Sequence, residues 1–448
     1  MRSWHLIVIA SLLSWSSVSA AQSKQEFLHT REVNALLIWR GALWTATSGG
    51  IERYDLGTLR RTHHLTQEQG LDSPNVLGLQ ASNAGLAART ARSECRVTTQ
   101  AAQCQRTDSP VPRPRRIPGS LGGAPITQRL QDGSRVLIAT HGAGVWLRQA
   151  SERMEQARQL TPANQICTNH VQAMAHFSDQ LWLGGFRDGL CVQTKAGFAP
   201  VSTPFRFVNA LLATQDALYV AANEGLFRTR DAQTFERVPL LSHAPERGVN
   251  GLAVALDTLW VTTPTALYSV ALAGGHTSVL WTPGGSTAIQ GLSARVRERE
   301  TEIWLASEDR GAIRVRGVAA GGSARKKKQE VEVFDALRGL DSSWVLDVAV
   351  DPQGTAYAAT LRHGLFSIAP SGQVHKLPLP SEWLLRLGWR AGQLWVGTQD
   401  GLVMDPGTSP TTLTLPNHCV HSLLELDHTV WIGTESGTYA LTFERAAT

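Results

Sequence analysis

The chain has 448 residues, of which 42% are hydrophobic and 18% are charged, a composition that excludes extensive disorder. The 40 glycines and 14 tryptophans favour many short strands joined by tight turns, and no long amphipathic helical pattern is present. The formal net charge is only +5, and the visible basic runs at residues 113–116 and 325–328 lie in Pro- or Gly-rich surroundings typical of solvated loops.

Residues 1–20 have the pattern of a bacterial-type signal peptide. Arg2 precedes an apolar stretch from Leu6 to Leu13, and Val18-Ser19-Ala20 supplies small residues at the cleavage position. The alternative is an uncleaved anchor, but the apolar stretch is short and rich in serine for a bilayer span. We therefore expect residues 21–448 to be extracytoplasmic, either periplasmic or secreted, without stable membrane insertion. Export argues against nucleic acid as a partner.

A short phrase with an aromatic or aliphatic centre recurs along the chain. Its first and last tryptophans, Trp44 and Trp431, are separated by nine intervals with a mean of 43 residues, the length of a four-stranded propeller blade. The positions at its centre are Trp44, Leu86, Leu137, Trp182, Tyr219, Trp260, Trp304, Tyr357, Trp395 and Trp431.

Each unit is predicted to contain four strands. The first has the pattern apolar, variable, small, apolar, as in Val208-Asn209-Ala210-Leu211, and the second carries the aromatic before a turn that ends in glycine. The sequence thus predicts an all-β protein, a β-propeller of about ten blades in one large ring; two smaller rings are the alternative. The last repeat has three strands, and residues 25–29 are expected to supply the fourth and close the ring.

The chain contains five cysteines, which suits an oxidising compartment. Cys95 and Cys104 flank a hairpin-like segment and are candidates for one disulfide. Cys167 and Cys191 belong to one repeat and are candidates for a second, which leaves Cys419 unpaired.

Two linkers and two repeat cores resemble those of two-component regulator propeller repeats, within the WD40/YVTN-like superfamily. They are the segments 70–76 and 339–345 and the phrases at 394–402 and 430–437. The resemblance covers almost the whole mature chain, although several blades are degenerate. It implies a propeller that often forms the periplasmic sensing part of a membrane kinase. Because no kinase core or spanning helix is evident in this sequence, we expect a stand-alone form that signals through a separate partner.

The variable position of the first strand is expected to lie near the central channel. Polar residues there make a candidate site for a small polar ligand or a partner protein, although the amides could instead satisfy backbone groups or channel water. Asp347 and Arg386 replace the small residue in adjacent units and are candidates for an ion pair at the axis or a charged point in the site. The candidate ligand-binding residues are Asn34, Gln172, Asn209, Asn250, Gln290, Asp347, Arg386 and His421.

Known catalytic and metal motifs are missing from the sequence. It has no HExxH, no CxxC and no Gly-x-Ser-x-Gly, so we predict no metal site, no cofactor and no catalytic residue. The predicted function is that of a non-enzymatic exported propeller, a sensor or envelope scaffold that binds a ligand or partner protein through its channel mouth and loops. The alternative is a lyase or hydrolase that uses channel-mouth groups such as His421 or Asp347.

Overall fold

The structure, a computed structural model, describes most of the chain. Residues 1–20, the predicted signal peptide, and both basic runs lie outside the described residues. The described ranges are 23–83, 85–107, 117–160, 165–195, 197–240, 248–282, 288–297, 300–319, 329–390, 392–406, 410–415, 419–427 and 429–442.

The described strands form ten antiparallel sheets, nine of four strands and one of five. We number them by the chain order of their first inner strands. Sheet 1 follows a single strand, β1 (Ser23–Phe27), and consists of β2 (Val33–Trp39), β3 (Ala42–Thr47), β4 (Gly50–Asp55) and β5 (Arg61–Leu65). Sheet 2 consists of β6 (Gly78–Ser82), β7 (Gly85–Arg89), β8 (Ser93–Val97) and β9 (Ala102–Arg106). Sheet 3 consists of β10 (Ile117–Leu121), β11 (Ala124–Asp132), β12 (Arg135–Thr140), β13 (Val145–Gln149) and β14 (Arg158–Leu160).

Sheets 4 to 10 follow in the second part of the chain. Sheet 4 consists of β15 (Val171–Phe177), β16 (Gln180–Gly185), β17 (Leu190–Thr194) and β18 (Gly197–Val201). Sheet 5 consists of β19 (Val208–Ala213), β20 (Leu218–Ala222), β21 (Gly225–Thr229) and β22 (Glu236–Val238). Sheet 6 consists of β23 (Gly251–Ala255), β24 (Thr258–Thr263), β25 (Ala266–Ala271) and β26 (Thr277–Trp281). Sheets 7 and 8 consist of β27 (Ile289–Arg297), β28 (Glu300–Ser307), β29 (Ala312–Ala319) and β30 (Glu330–Phe334); and β31 (Val345–Val350), β32 (Ala356–Thr360), β33 (Gly364–Ile368) and β34 (Val374–Leu377). Sheets 9 and 10 consist of β35 (Leu384–Arg390), β36 (Gln393–Thr398), β37 (Gly401–Met404) and β38 (Thr411–Thr414); and β39 (Val420–Leu426), β40 (Thr429–Thr434) and β41 (Gly437–Thr442) with β1.

Helical structure in the described residues is limited to short 3-10 helices in linkers, at Gln67–Gln69, Met154–Gln156 and Ala336–Arg338. None of these is long and apolar enough to cross a membrane.

The aromatic of each second strand packs against a neighbouring sheet, which explains why the second strands are apolar on both faces. Trp182 packs against sheet 5, Trp260 against sheet 7 and Trp304 against sheet 8. These indoles are at most 1% exposed. Burial of so much apolar area stabilises each of these sheet-to-sheet interfaces and gives the repeated aromatic a structural role.

Seven sheets, from sheet 4 to sheet 10, follow one another through contacts between their inner strands. Sheet 10, the last of these seven, packs against sheet 4, the first of them: Trp431 of sheet 10 shares a core with Val171 and Leu183 of sheet 4. Ser422 Oγ also donates a hydrogen bond to Val171 O at 3.3 Å. We call sheets 4 to 10 the seven-sheet unit.

The N-terminal strand completes sheet 10, as the sequence analysis expected. β1 pairs antiparallel with β41 along its whole length, from Ser23 opposite Thr442 to Phe27 opposite Thr438. The Phe27 ring lies 5.3 Å from that of Trp431, so the pairing also contributes to the core between sheets 10 and 4.

Sheets 1 to 3 form a separate group, which we call the arm, inserted in the chain between β1 and β15. Sheet 1 lies in the middle, with sheet 3 against one face and sheet 2 against the other. The outer face of sheet 2 carries exposed Glu94, Arg96, Gln103 and Gln105, a polar surface typical of a terminal repeat. These contacts do not show the single ten-bladed ring that was preferred from the sequence. The repeats have a uniform period, and such a period does not specify which sheets contact each other.

Asn169 holds the arm to the seven-sheet unit. Its Nδ2 donates to His29 O at 3.1 Å and to Ser48 O at 2.8 Å, and its Oδ1 accepts from His29 N at 2.6 Å. Its backbone carbonyl accepts from Gly437 N of sheet 10. One side chain thus joins the segment entering the arm, a turn of sheet 1 and the start of sheet 4.

Two partly buried histidines make this junction sensitive to acid. His29 Nδ1 lies 3.0 Å from Ile166 O, and His64 Nε2 lies 2.8 Å from Gly49 O. Burial lowers the pKa of both imidazoles. Glu32 and Asp188 raise the pKa of His29, and Arg31 lowers it further. Glu52 raises the pKa of His64, and Arg61 lowers it further. The unfolded chain therefore binds more protons than the folded chain once the pH falls below about 6.5.

We expect the free energy of unfolding to fall with pH below about 6.5, by at most about 1.4 kcal/mol per pH unit for each histidine. Urea unfolding at pH 7.5 and 5.0 should show a smaller acid-induced loss for His29→Gln/His64→Gln than for the unchanged chain. His276→Gln, at an exposed position, is the control. Burial raises the pKa of Glu26 to about 7, so this carboxyl makes the folded chain more stable as the pH falls. Its effect on the free energy of unfolding is the same in all three proteins. Equal losses in all three would contradict the assignment.

Both expected disulfides are present. Cys95 lies directly opposite Cys104 in the β8–β9 pair and is bonded to it, and Cys167 is bonded to Cys191. Cys419 is unbonded and partly buried. The two disulfides fit an extracytoplasmic protein.

Candidate functional site

The inner strands of the seven-sheet unit surround a central cavity of about 520 Å³. Every one of the seven sheets contributes to its lining, including Gln172, Asn209, Asp347 and Arg386 from the sequence-based candidates. Asn34 belongs to the arm and lies outside this cavity. The structure therefore brings together part of the expected set.

The amide side chains at the variable position are all hydrogen-bonded within the protein. Three donate through Nδ2 to a backbone carbonyl at the start of the neighbouring sheet: Asn34 to Val76 O at 2.8 Å, Asn209 to Val249 O at 2.9 Å and Asn250 to Ile289 O at 2.6 Å. Gln290 donates to Glu308, and Gln172 hydrogen-bonds with His170. These hydrogen bonds occupy the amide groups with partners in the same or the neighbouring sheet. Their role in ligand binding stays a prediction.

Asp347 and Arg386 form the ion pair that their positions suggested. Arg386 Nη1 lies 3.6 Å from Asp347 Oδ2, and Arg386 Nε donates to His421 O at 2.8 Å. The Asp347 carboxylate also accepts from Leu387 N at 2.8 Å and Val348 N at 3.0 Å. Burial raises the pKa of Asp347, and the Arg386 charge opposes that shift. The pair links sheets 8, 9 and 10 beside the axis.

Aromatic rings form a continuous row at one end of the cavity. We call this end, where the inner strands begin and the turns between second and third strands lie, the mouth. The centroid distances are 5.9 Å from Phe207 to Phe186, 4.8 Å from Phe186 to His170 and 4.9 Å from His170 to His421. We call these four rings the ladder. All four are partly exposed, and the ring faces between His170, Phe186 and His421 are covered by their mutual stacking.

The two imidazoles of the ladder are uncharged at neutral pH. Burial lowers the pKa of His170. Burial, His170 and Arg386 together lower the pKa of His421 to about 3. Glu435 Oε2 lies 3.7 Å from His421 Nε2, and burial raises the pKa of this carboxyl. The ladder is therefore an apolar, stacking surface rather than a cationic one.

Two exposed tryptophans extend the aromatic surface to sheets 8 and 9. Trp344 is 42% exposed and Trp383 is 41% exposed. The guanidinium of Arg362 lies 4.6 Å from the centre of the Trp383 ring, a cation–π distance. Arg362 has a φ of 63°, in the left-handed region that non-glycine residues rarely adopt.

These aromatics share one position that the sequence analysis did not single out. His170, Phe207, Trp344 and Trp383 each stand directly before the first buried residue of an inner strand. In each sheet the backbone carbonyl of this aromatic residue accepts a hydrogen bond from the backbone N–H of the residue that follows the second strand. The donors are Phe186 N, Asn223 N, Leu361 N and Gln399 N, respectively. The same backbone geometry thus presents each side chain at the mouth, and aligning the residue before each inner strand would have found them.

A metal site is not supported by the part of the chain that the structure describes. Within it, the one close cluster of three potential ligands is Asp72 with Cys95 and Cys104. The two sulfur atoms are bonded to each other, so neither is available as a thiolate.

Comparison with known proteins identifies the fold. No family model and no curated protein sequence matches the chain. Among solved structures, PorZ of Porphyromonas gingivalis, a surface component of the type-IX secretion system, is similar with 13% identity and a TM-score of 0.55, over 92% of this chain and 74% of PorZ.

Two further solved structures have the same sheet arrangement. The extracellular domain of a putative one-component system from B. thetaiotaomicron is 15% identical with a TM-score of 0.50, over 92% of this chain and 70% of that one. Virginiamycin B lyase from Staphylococcus aureus is 11% identical with a TM-score of 0.50, over 62% of this chain and 96% of the lyase. At such identities the likeness concerns the fold alone. The resemblance to sensor propellers suggested by the repeat is thus confirmed for the fold, and the chain is an all-β protein of propeller-type sheets.

Proposed function

We propose that this protein is an exported, non-enzymatic propeller that binds a partner protein or ligand at the mouth of its seven-sheet unit. The observation that carries the proposal is the aromatic residue placed directly before the inner strand in four of the sheets. Two of these residues, Trp344 and Trp383, expose about two fifths of their surface, whereas Trp182, Trp260 and Trp304 of the second strands are at most 1% exposed. Exposed aromatic surface of this kind is typical of interaction sites.

The architecture supports binding in this region. We propose that sheets 4 to 10 form a closed seven-bladed ring, since each inner strand contacts the next and sheet 10 packs on sheet 4. Side chains join most neighbouring inner strands, so the mouth is a rigid surface that needs little ordering when a partner binds. We further propose that residues 1–20 direct export and that the mature chain begins at residue 21.

The enzymatic alternative has less support from the groups it requires. Asp347 accepts two backbone hydrogen bonds and pairs with Arg386, so its oxygens are already engaged. His421 stacks on His170, and its pKa of about 3 makes it a weak general base at neutral pH. We therefore place these residues in the scaffold of the mouth.

Affinity capture from a native envelope extract tests the proposal. We expect the immobilised protein to retain one or a few species, and Trp344→Ala/Trp383→Ala to lose them by about tenfold or more. Val296→Ser/Val331→Ser removes two exposed apolar side chains outside the mouth and should retain them. Unchanged retention by the tryptophan variant would overturn the assignment of the mouth. Turnover of a captured small molecule that is lost in His421→Ala would overturn the non-enzymatic function.

A further inference from the structure

The groups that remain available at the mouth favour one class of ligand. A sugar or another hydroxyl-rich molecule needs many hydrogen-bonding partners. The amides at the variable position already bond to protein groups, as do Asp347 and Arg386. What the mouth offers instead is aromatic surface, chiefly the exposed side chains of Trp344 and Trp383.

Exposed aromatic surface suits an extended chain with flat apolar side groups. Trp344 and Trp383 stand directly before the inner strands of sheets 8 and 9, the position that His170 and Phe207 hold in sheets 4 and 5. The ladder rings cover one another's faces through contacts of 4.8 to 5.9 Å between centroids, so the two tryptophans provide most of the exposed aromatic surface. Proline-containing segments dock on aromatic-lined grooves in this way, because the polyproline II helix is preformed and loses little entropy on binding.

Arg362 stands beside Trp383, at the tryptophan side of the mouth. Arg362 is exposed, and it forms neither an ion pair nor a hydrogen bond among the described residues. At the ladder side, Arg187 lies 5.5 Å from the Phe186 ring, but its charge is offset by the adjacent Asp188, and both act on His170. Arg362 is therefore the group best placed to pair with an acidic side chain.

We propose that the mouth binds an extended, proline-containing segment of a partner protein, and that Arg362 pairs with an acidic residue of that segment beside Trp383. This inference rests on the proposed function and names its ligand class. The prolines lie on the two tryptophans, and the acidic side chain meets the guanidinium that lies on Trp383.

Selection from a displayed library of random peptides of roughly twelve residues tests the inference, since that length extends beyond the mouth as a polyproline II helix. We expect enriched peptides to contain proline together with Asp or Glu. A synthetic enriched peptide should bind Trp383→Ala about tenfold or more weakly. Arg362→Gln should weaken its binding about threefold, and this loss should vanish when the acidic residue of the peptide is replaced by Gln.

A matched control exists in the arm. Arg40 also has a positive φ, of 49°, and stacks on a tryptophan, Trp39, at 4.4 Å, but it lies between β2 and β3 of the arm and not in the seven-sheet unit. Arg40→Gln should bind the peptide as the unchanged chain does. Selection of peptides without proline, or equal enrichment on Trp344→Ala/Trp383→Ala, would overturn the inference. If cellohexaose binds in a Trp383-dependent manner and no peptide does, the ligand class is wrong, while the proposed function stands.

Discussion

Gly433→Val should lower the free energy of unfolding by about 3 kcal/mol, because it forces sheets 10 and 4 apart. A Cβ at Gly433 would meet Val171 Cγ1 and Val171 O, both at 2.8 Å, and Ser422 Oγ more closely still. Gly184 faces Val208 and Gly397 faces Val420 in the same way, each against the first residue of the next inner strand. The contact between the last and first sheets of the seven-sheet unit thus repeats the contacts between consecutive ones.

Urea unfolding of Gly433→Val beside Gly78→Val measures this contact. Gly78 begins β6 in the arm and has no atom within 4 Å of the added Cβ, so its substitution should change stability by about 0.5 kcal/mol or less. If the two variants unfold alike, sheets 10 and 4 do not meet and the closed ring we propose is wrong.

Asp347→Ala should cost about 3 kcal/mol of stability and leave capture at the mouth unchanged. The substitution removes the acceptor for the buried Leu387 N and Val348 N and leaves Arg386 without its counter-ion. Asp347→Asn retains an acceptor oxygen and should lose about half as much.

Unfolding and capture measured on the same preparations separate the two roles of this carboxylate. Loss of capture from a fully stable Asp347→Ala protein would mean that Asp347 binds the ligand, as the sequence analysis suggested. Loss of stability with retained capture would mean that it holds sheets 8 and 9 together.

The local repeat was readable because strands and turns depend on near neighbours in the chain. The aromatic of the second strand, the turn glycine and the small residue of the first strand recur with the period of a blade, and ten sheets result. Cys95 and Cys104 were readable as a pair for the same reason, since a hairpin places them opposite each other.

The candidate site was only partly readable. The variable position does line the cavity at Gln172 and Asn209, yet the Asn209 amide bonds to Val249 O of the next sheet, which no pattern within one strand could specify. The aromatics at the mouth were overlooked because Phe207 and Trp344 precede the repeated strand and vary from sheet to sheet. Their common role follows from a shared backbone hydrogen bond that is visible in the folded chain.

The sequence by itself determined that this protein is built of propeller-type sheets, and it predicted that the first strand completes the last sheet and named the two candidate cysteine pairs that the structure shows bonded. Only the tertiary structure decided that seven sheets follow one another with the last against the first, while three form an inserted arm. The physical reason is that a sheet's period is set locally, whereas its neighbour is chosen by the fit of two faces. Ser422 and Val171, which meet between sheets 10 and 4, are 251 residues apart in the chain.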